Sequence, residues 1–417
     1  MSYTLLRGEF VIRYADLPRQ GPEPDGDTVK FRPDSPALVE GLPRPSGTPP
    51  GINARGVSIR LEAIDALETH FSGAHQELGG ANQARDELLK FLGFTNVVYF
   101  ADLPNKVQSA DQDTMRGHVL TNGVDANGRL IGFVFPGEPA APDGSAVFLD
   151  ETLVDQSANG VLLKAGSVYP AFYATLPAAL RVHLGEVSRA ARAAQSGIWA
   201  RSTGDPNGTA KVPDAHALSQ LVLWPKLFRR LVPYLASGFG SLDGFGAWLR
   251  ADPVHRDDAL FLLPTGEYGN VHDVIRAAGQ EIQLTLWPED FIISPDPAPP
   301  GAPTRPQPAA VGDVLIVAAL PDPAGADRGH ELVTLLNTTP APVDLTGWAL
   351  TDAAGGRHSL TGSLTGGSVL QVTLGSAVTL GNAGDALVLV DPGGGLVDQV
   401  AYKAEMVRAG RTICFGR

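Results

Sequence analysis

The chain is nearly free of cysteine. Cys414 is the only one among 417 residues, so no disulfide can form within the chain. One cysteine fits a reducing compartment, but many exported bacterial proteins lack cysteine as well. The cysteine content therefore leaves the compartment open.

Long apolar runs are also missing. The first residues, MSYTLLRGEFVIRYADL, include Arg7, Glu9 and Arg13 and lack the apolar region of a secretory signal. No stretch is long enough to span a bilayer. We predict no membrane span and no signal peptide in this sequence. The localisation stays unknown: cytoplasmic by default, with export open if a signal was removed.

Positive charge is in short supply. The chain has 32 Lys and Arg against 45 Asp and Glu, a formal net charge of −13. Phosphate contacts normally come from Lys and Arg, so this balance argues against nucleic-acid binding through a broad basic surface. Nucleic acid would have to bind locally, through a metal ion and a few arginines.

The chain is long enough for two or three domains. Hydrophobic residues make up 43% and charged residues 18%, which is typical of globular protein. A proline-rich stretch predicts a spacer, and a weaker Gly/Pro/Asn/Asp break precedes it. We predict four segments: a first domain at 1–203, a middle region at 204–293, a linker at 294–310 and a C-terminal domain at 311–417.

The first domain is predicted to be α+β, a small barrel with helices packed on it. Strands are indicated by β-branched and aromatic runs at 10–13, 28–31, 57–64, 97–100, 118–121 and 130–135. Helices are indicated by apolar residues at i, i+3 and i+4 spacing at 81–92, 151–158 and 176–194.

The middle region is predicted to be mainly helical, with no assignable role. Its aromatic residues recur at helical spacing and are interpreted as core, and Arg229-Arg230 beside them as a solvated face. Asn270 is interpreted as a helix cap. The histidines show no zinc-like spacing.

Charged residues in the first domain form an ordered set. Asp25-Gly26-Asp27 opens a strand, Arg60 precedes Asp65 and Glu68, and Arg129 follows Asp125-Ala126-Asn127-Gly128. Two aspartates with a backbone carbonyl and waters make a partial calcium shell. Glu68 is placed to address a water, and two arginines can grip the phosphate oxygens of a diester.

These motifs, D-G-D-T-V-K, I-R-L-E-A-I-D-A-L-E-T-H and D-x-x-G-R, resemble the staphylococcal nuclease (thermonuclease) family over residues 8–201. The resemblance implies an OB-fold barrel with helices and calcium-dependent hydrolysis of DNA and RNA. It also implies a role for each matching residue. Asp27, Asp65 and the Ala66 carbonyl would bind calcium, Glu68 would be the general base, Arg60 and Arg129 would bind the phosphate, and Asp25 would be a secondary carboxylate.

The sequence departs from the family at two places. Asp65-Ala66-Leu67-Glu68 stands where D-T-P-E is common, and Ala126-Asn127 stands where the type member has Lys-Tyr. The second change removes a cation and a stacking ring near the substrate. Tyr169 and Tyr173 are the remaining candidates for stacking on a base or contacting phosphate.

The C-terminal segment carries N-T, L-T-G-W and G-N-A-G-D turns between short apolar strands. From about Val311 to Phe415 it resembles the lamin tail domain family, which implies an immunoglobulin-like all-β sandwich. In bacteria such domains accompany secreted or surface nucleases and phosphatases, which implies an accessory role toward an unknown protein or surface partner.

The leading hypothesis is thus a calcium-dependent nuclease with an accessory sandwich. One alternative is a non-catalytic scaffold that binds nucleic acid or protein. The other is a phosphodiesterase for smaller phosphate esters, which would need no basic groove.

Overall fold

The computed structural model describes residues 2–252, 255–294, 312–325, 329–339, 342–392 and 394–415. The chain divides into two compact units, Met1–Pro303 and Thr304–Arg417. The linker predicted at 294–310 lies outside the described residues, apart from Ser294. The middle region belongs to the first unit, so it is not a separate domain.

The first unit contains sixteen strands in its described residues. They are β1 (Ser2–Val11), β2 (Thr28–Pro33), β3 (Val57–Leu61), β4 (Ala63–Asp65), β5 (Val98–Tyr99), β6 (Val107–Ser109), β7 (Thr114–Val124), β8 (Leu130–Pro136), β9 (Ala146–Phe148), β10 (Tyr169–Ala171), β11 (Ala210–Lys211), β12 (Ala259–Leu262), β13 (Glu267–Asn270), β14 (Ile275–Ala278), β15 (Glu281–Leu284) and β16 (Phe291–Ile293).

Eight α-helices lie in the same described part. They are α1 (Pro36–Glu40), α2 (Leu78–Phe91), α3 (Glu151–Asp155), α4 (Ala158–Ala165), α5 (Ala178–Ala193), α6 (Ala215–Leu218), α7 (Pro225–Ala236) and α8 (Phe245–Arg250). Short 3-10 helices occur at Pro18–Gln20, Gly197–Arg201, Val271–Val274 and Pro288–Asp290.

Five strands close a barrel in the N-terminal region. The order is β2-β3-β8-β7-β1, and β1 pairs with β2 to complete the circle. All pairs are antiparallel except β3 with β8, which run parallel. The predicted barrel with helices is therefore confirmed as an architecture.

The alternation of side chains in β3 explains how the barrel presents a polar group. Val57, Ile59 and Leu61 are buried in the core, while Ser58 and Arg60 alternate with them on the other face. Successive residues of a strand point to opposite faces. Arg60 therefore stands outside the barrel interior.

The strand predicted at 57–64 is broken in two. Ala63 adopts a left-handed φ of 70°, an unusual conformation for a residue with a Cβ. The turn redirects the chain into β4, which pairs with β10 so that Asp65 faces Tyr169 in register. The acidic segment thus leaves the barrel sheet and joins a two-stranded ladder beside it.

The helix predictions for the first domain hold with shifted ends. The helices predicted at 81–92 and 176–194 correspond to α2 and α5. The one predicted at 151–158 is shorter and is followed by a separate helix, α4, that begins at Ala158. Ser157 caps α4 by accepting a hydrogen bond from the Gly160 N–H.

The middle region is mixed rather than mainly helical. Its described residues form three α-helices, two 3-10 helices and six short strands, β11 to β16. Asn270 was interpreted as the cap of a helix, but only Val271–Val274 makes one helical turn after it, and β14 follows. Asn270 opens that turn, with its N–H donating to Asp273 (2.8 Å). A strand of four residues is too short for its hydrophobic pattern to be distinguished from that of a helix.

A second hydrophobic core joins the barrel part to the middle region. Trp224, Phe228 and Phe245 of the middle region are buried there, as predicted. The core prediction is wrong for Phe239, which is 45% exposed and stacks on the ring of Tyr234. The N-terminal part contributes Tyr169 and Trp199 to the same core, with ring centroids 4.8 Å apart. Because this core contains side chains from both parts, the packing of residues 1–203 depends on residues of the middle region.

The second unit is a β-sandwich. Its strands are β17 (Val314–Leu320), β18 (Leu332–Asn337), β19 (Val343–Asp344), β20 (Ala349–Thr351), β21 (Arg357–Ser359), β22 (Ser363–Leu364), β23 (Val369–Thr373), β24 (Gly384–Val390), β25 (Leu396–Lys403) and β26 (Ile413–Cys414), with a 3-10 helix at Ala404–Met406. Two four-stranded sheets, β23-β18-β17-β26 and β21-β20-β24-β25, enclose one apolar core. The predicted sandwich is confirmed.

Aspartates close turns of the sandwich. Asp352 accepts hydrogen bonds from the N–H groups of Gly356 (2.7 Å) and Thr379 (3.1 Å). Asp391 accepts one from Gly395 at 2.8 Å. These carboxylates fix loop geometry.

Within the described residues, none of the helices has the length and apolar character needed to cross a membrane.

Candidate active site

Three sequence-distant segments meet at the open face of β3. Thr28 is the register partner of Arg60, so Asp27 lies immediately beside Arg60 on the neighbouring strand. The Asp27 carboxylate accepts hydrogen bonds from the Ala66 N–H (3.1 Å) and from the Thr28 hydroxyl (3.0 Å). The structure therefore brings together Asp27, Arg60 and the Asp65-Ala66 segment, as the sequence predicted.

The loop after β4 carries the remaining acidic residues. Asp65 is 2% exposed, and Ala66 is also buried. Glu68 is partly buried, and its N–H donates to the Gln76 side-chain oxygen at 3.1 Å. Gln76, which is fully buried, donates in turn to the Leu223 carbonyl (2.8 Å). Gln76 thus ties the acidic loop to the middle region.

Gly26 permits the close approach of this cluster to helix α2. A Cβ at Gly26 would lie 2.6 Å from the Cβ of Ala66 and 2.7 Å from that of Ala84. Neither neighbour is a flexible side-chain end that can move away. The glycine between Asp25 and Asp27 is therefore a packing requirement as well as a turn residue.

The crowding of carboxyl groups shifts their pKa values upward. Burial, with Asp27 and Glu68 nearby, raises the pKa of Asp25 to about 8. Burial and Asp65 raise the pKa of Asp27. Burial raises the pKa of Glu68 to about 7, against the lowering effect of Arg229. A carboxyl group whose pKa lies near 7 is suited to accept a proton at physiological pH.

Arg60 lies against Tyr173. Its Nη2 donates to the Tyr173 hydroxyl at 2.9 Å, and the guanidinium carbon is 4.6 Å from the ring centroid. The Lys226 ammonium is 5.7 Å from the same centroid. Burial raises the pKa of Tyr173, but Arg60 and Lys226 outweigh it and the net direction is downward. Tyr173 is thus held at the site, consistent with its predicted position.

Arg60 forms no ion pair with a carboxylate of any described residue. Burial works against its charge, but Tyr173, Asp65 and Asp27 hold the pKa of Arg60 above its ordinary value. It therefore stays charged beside Asp65 and Asp27.

Arg129 stands close to Arg60 along the barrel edge. It immediately precedes β8, two positions before Ile131, which is the register partner of Arg60. Its Nε donates to Asp125 at 2.8 Å, and the side chain is 30% exposed. Its terminal nitrogens make no hydrogen bond to the described residues, so they are available to an anion.

Tyr169 is not placed to contact a substrate. It is 2% exposed in the second core, and its hydroxyl is 2.9 Å from the Ser202 hydroxyl. Pairing with Asp65 turns its ring into that core. The prediction of substrate contact does not fit this position.

The most prominent residue at the site is one that sequence analysis interpreted as part of a solvated face. Arg229 of α7 donates from Nη2 to both oxygens of Asp65 (3.0 and 2.8 Å) and from Nη1 to Glu68. The neighbouring Arg230 and Lys226 both pair with the buried Asp258, at 2.6 and 2.7 Å. The solvated-face interpretation is wrong, because α7 packs its basic residues against buried carboxylates.

A signal for Arg229 was present in the sequence. Residues 226, 229 and 230 of α7 have i, i+3 and i+4 spacing, which places three cations on one side of a helix. In a chain with a net charge of −13 such a group has many potential acidic partners. Gln76 carried no comparable signal.

The expected calcium ion can be tested against these positions. Carboxylates are the right donors chemically. However, Arg229 engages both oxygens of Asp65 and one of Glu68. Among the described residues, no three His, Cys, Asp or Glu side chains are arranged to hold a metal ion. The residues do not fit a calcium ion while Arg229 holds this position.

Comparisons with known proteins concern the C-terminal unit. Residues 307–404 match the family model described as Lamin Tail Domain. This part of the chain is therefore similar to lamin tail domains, as its turns indicated. No curated protein matches the chain.

Proposed function

We propose that the chain hydrolyses phosphodiester bonds of DNA or RNA at the cluster of Asp27, Arg60, Asp65 and Glu68. The observation that carries this proposal is Arg60, a charged and half-buried residue whose guanidinium has no carboxylate partner among the described residues. A cation kept in that state beside acidic residues is suited to bind an anionic substrate.

The proposed chemistry uses side chains of this chain. Arg60 would bind a non-bridging phosphate oxygen, and Arg129 a second one from the neighbouring strand. Glu68 would accept the proton of the attacking water. The water oxygen would bond to phosphorus as the bond from phosphorus to the leaving oxygen breaks, and the leaving oxygen would take a proton from solvent. No step is assigned to calcium, because Arg229 engages both carboxylate oxygens of Asp65, one of the expected calcium ligands. Calcium dependence stays a prediction for the assay below.

The acidity of the chain limits how the substrate can bind. A net charge of −13 disfavours a long track of phosphate contacts. Binding would therefore involve few nucleotides, and a small diester would be accepted as well. The lamin-tail-like unit is proposed to be an accessory domain that binds a protein or surface.

One observation favours a non-catalytic scaffold instead. The ion pairs of Arg229 with Asp65 and Glu68 neutralise two of the proposed active-site carboxylates. A domain that had lost catalysis would tolerate such pairing permanently. Activity measurements separate the two functions.

The full chain should be incubated with single-stranded DNA, duplex DNA, RNA and bis(p-nitrophenyl) phosphate, each with calcium and with a chelator. Arg60→Ala and Glu68→Gln are expected to lower turnover by at least about 100-fold, because each removes a group acting in the transition state. Arg55→Ala is the matched control, since Arg55 pairs with Asp16 on the surface (2.9 Å).

Loss of hydrolysis in both variants, with the control unchanged, would support the proposal. Activity retained in Arg60→Ala would contradict the site assignment. No hydrolysis of any substrate under either condition would contradict catalysis and favour the scaffold.

A further inference from the structure

The guanidinium of Arg229 is bound to Asp65, an expected calcium ligand, and to Glu68, the expected general base. Its Nη2 lies 3.0 and 2.8 Å from the two oxygens of Asp65, and its Nη1 donates to Glu68. The side chains of Asp65 and Glu68 are only 4% and 14% exposed. One forked cation therefore engages three carboxylate oxygens in a nearly closed space.

The helix that carries Arg229 is held firmly in place. Lys226 and Arg230, on either side of Arg229, both pair with Asp258, which is 8% exposed. The residue before α7 is the buried Trp224, and Gln76 bonds to the carbonyl of Leu223 just upstream. These contacts fix the backbone of α7 relative to the acidic loop. The fold therefore places Arg229 beside that loop.

Arg229 is also permanently charged. An arginine guanidinium keeps its charge throughout the physiological pH range. A divalent cation at Asp65 would need the same oxygens and would repel the guanidinium across a few ångströms. Two cations with the same ligands cannot be bound at once without one moving away.

We propose that Arg229 is the built-in cation of this site and competes with a divalent cation for Asp65 and Glu68. The proposal deepens the proposed function, on which it rests for the view that these carboxylates form the reactive centre. It makes Arg229 a residue that sets the cation preference of the site, supplied by the middle region rather than by the barrel.

Competition of this kind has a thermodynamic signature. If calcium has to displace Arg229, its apparent affinity is lowered by the free energy of the contacts between Arg229 and the carboxylates. Removing Arg229 should therefore restore that affinity. Arg229→Gln is therefore expected to bind Ca²⁺ at least about tenfold more tightly than the wild-type chain. Arg230→Gln, which removes the adjacent arginine but leaves Asp65 and Glu68 untouched, should bind like the wild type.

The experiment is calcium titration of the full-length chain by calorimetry, without substrate. Terbium luminescence provides a second probe of the same site. Wild type, Arg229→Gln, Arg230→Gln and the double variant Arg229→Gln/Asp65→Asn are compared, with circular dichroism to verify folding. The double variant should lose the affinity gained by Arg229→Gln, because the gain requires the Asp65 carboxylate.

Arg229→Lys keeps the measurement decisive if the glutamine variant does not fold. Lysine retains the charge but not the forked donors that span two carboxylates, so a smaller gain in the same direction is expected. Equal calcium affinity in the wild type and the folded Arg229 variants would overturn the proposal, as would a gain that persists without Asp65. Because substrate is absent, a chain that shows the gain yet hydrolyses nothing contradicts only the proposed function.

Discussion

Glu62 is a buried carboxyl group between the barrel and the acidic loop. It is 4% exposed, accepts a hydrogen bond from the Tyr3 hydroxyl at 3.1 Å and lies 3.5 Å from the Asn122 amide. Burial raises its pKa from 4.5 to about 7, although Tyr3, Asn122 and Arg60 favour the charged form. The folded state therefore holds a proton on Glu62 that the unfolded chain releases at lower pH.

Glu62→Gln is expected to change how stability depends on pH. Between about pH 4.5 and 7 the folded wild type binds more protons than the unfolded chain, so its free energy of unfolding falls as pH rises. Glutamine cannot ionise and removes this contribution. Above pH 7 the free energy of unfolding of the variant should exceed that of the wild type by at most about 3 kcal/mol.

Urea denaturation of both chains from pH 4 to pH 8 measures the effect, with the exposed Glu40→Gln as control. Parallel curves for the wild type and Glu62→Gln would show that Glu62 titrates alike in both states and would refute the assignment.

Helix α7 is the element that links the core to the active site. Leu227, Phe228 and Leu231 are fully buried in the second core, while Arg229 reaches the acidic loop. Pro225 begins the helix, where a missing N–H has no cost. Both the packing and the ion pairs thus depend on one twelve-residue helix.

Leu231→Ala tests the packing contribution of α7. Removing a fully buried leucine side chain is expected to lower the free energy of unfolding by about 2–5 kcal/mol through lost transfer energy and a cavity. The control is Val182→Ala, on an exposed position of α5 (63% exposed), where a change below about 0.5 kcal/mol is expected. Similar losses for both variants, measured by urea denaturation, would argue against a tightly packed core at α7.

Local patterns predicted the elements that have strong periodicity. The alternation in β3 and the apolar spacing in α2 and α5 located these elements within a few residues. The same pattern continued through Ala63, so the sequence predicted one strand where a left-handed residue breaks it. A backbone break without glycine leaves no compositional signal.

Only the site residues that belong to short sequence motifs could be predicted. Asp27, Arg60 and Glu68 were predicted because they belong to short family motifs, and the structure brings them together. Arg229 was not, since its partner Asp65 is 164 residues away. Pairwise contacts over such a distance depend on packing of the second core, which periodicity does not encode. The burial of Tyr169 escaped prediction for the same reason.

At the scale of the whole molecule, the predicted boundary at residue 203 does not coincide with a compact unit. The first unit extends to Pro303, and its second core takes Leu67, Ile198 and Trp199 from one side of the boundary. The other side contributes Leu223, Phe228 and Phe291, among others. Cutting at 203 would expose apolar surface on both pieces.

A fragment of residues 1–203 is therefore expected to aggregate or to lose cooperative unfolding, whereas residues 1–303 should retain a cooperative transition within a few degrees of that in the full chain. Differential scanning calorimetry of the two fragments and the full chain makes the comparison. A cooperative transition of 1–203 at the temperature seen for 1–303 would mean that the barrel part is independent after all.

The separation between Asp65 and Arg229 also has a consequence in time. Ribosomes add about 5–20 residues per second, so the acidic loop is synthesised roughly 10–30 seconds before the arginine that will neutralise it. Until Arg229 has been synthesised, cations of the surrounding solution can therefore pair with these carboxylates without competition from it. The order of synthesis therefore allows those cations to bind before Arg229 is present to compete with them.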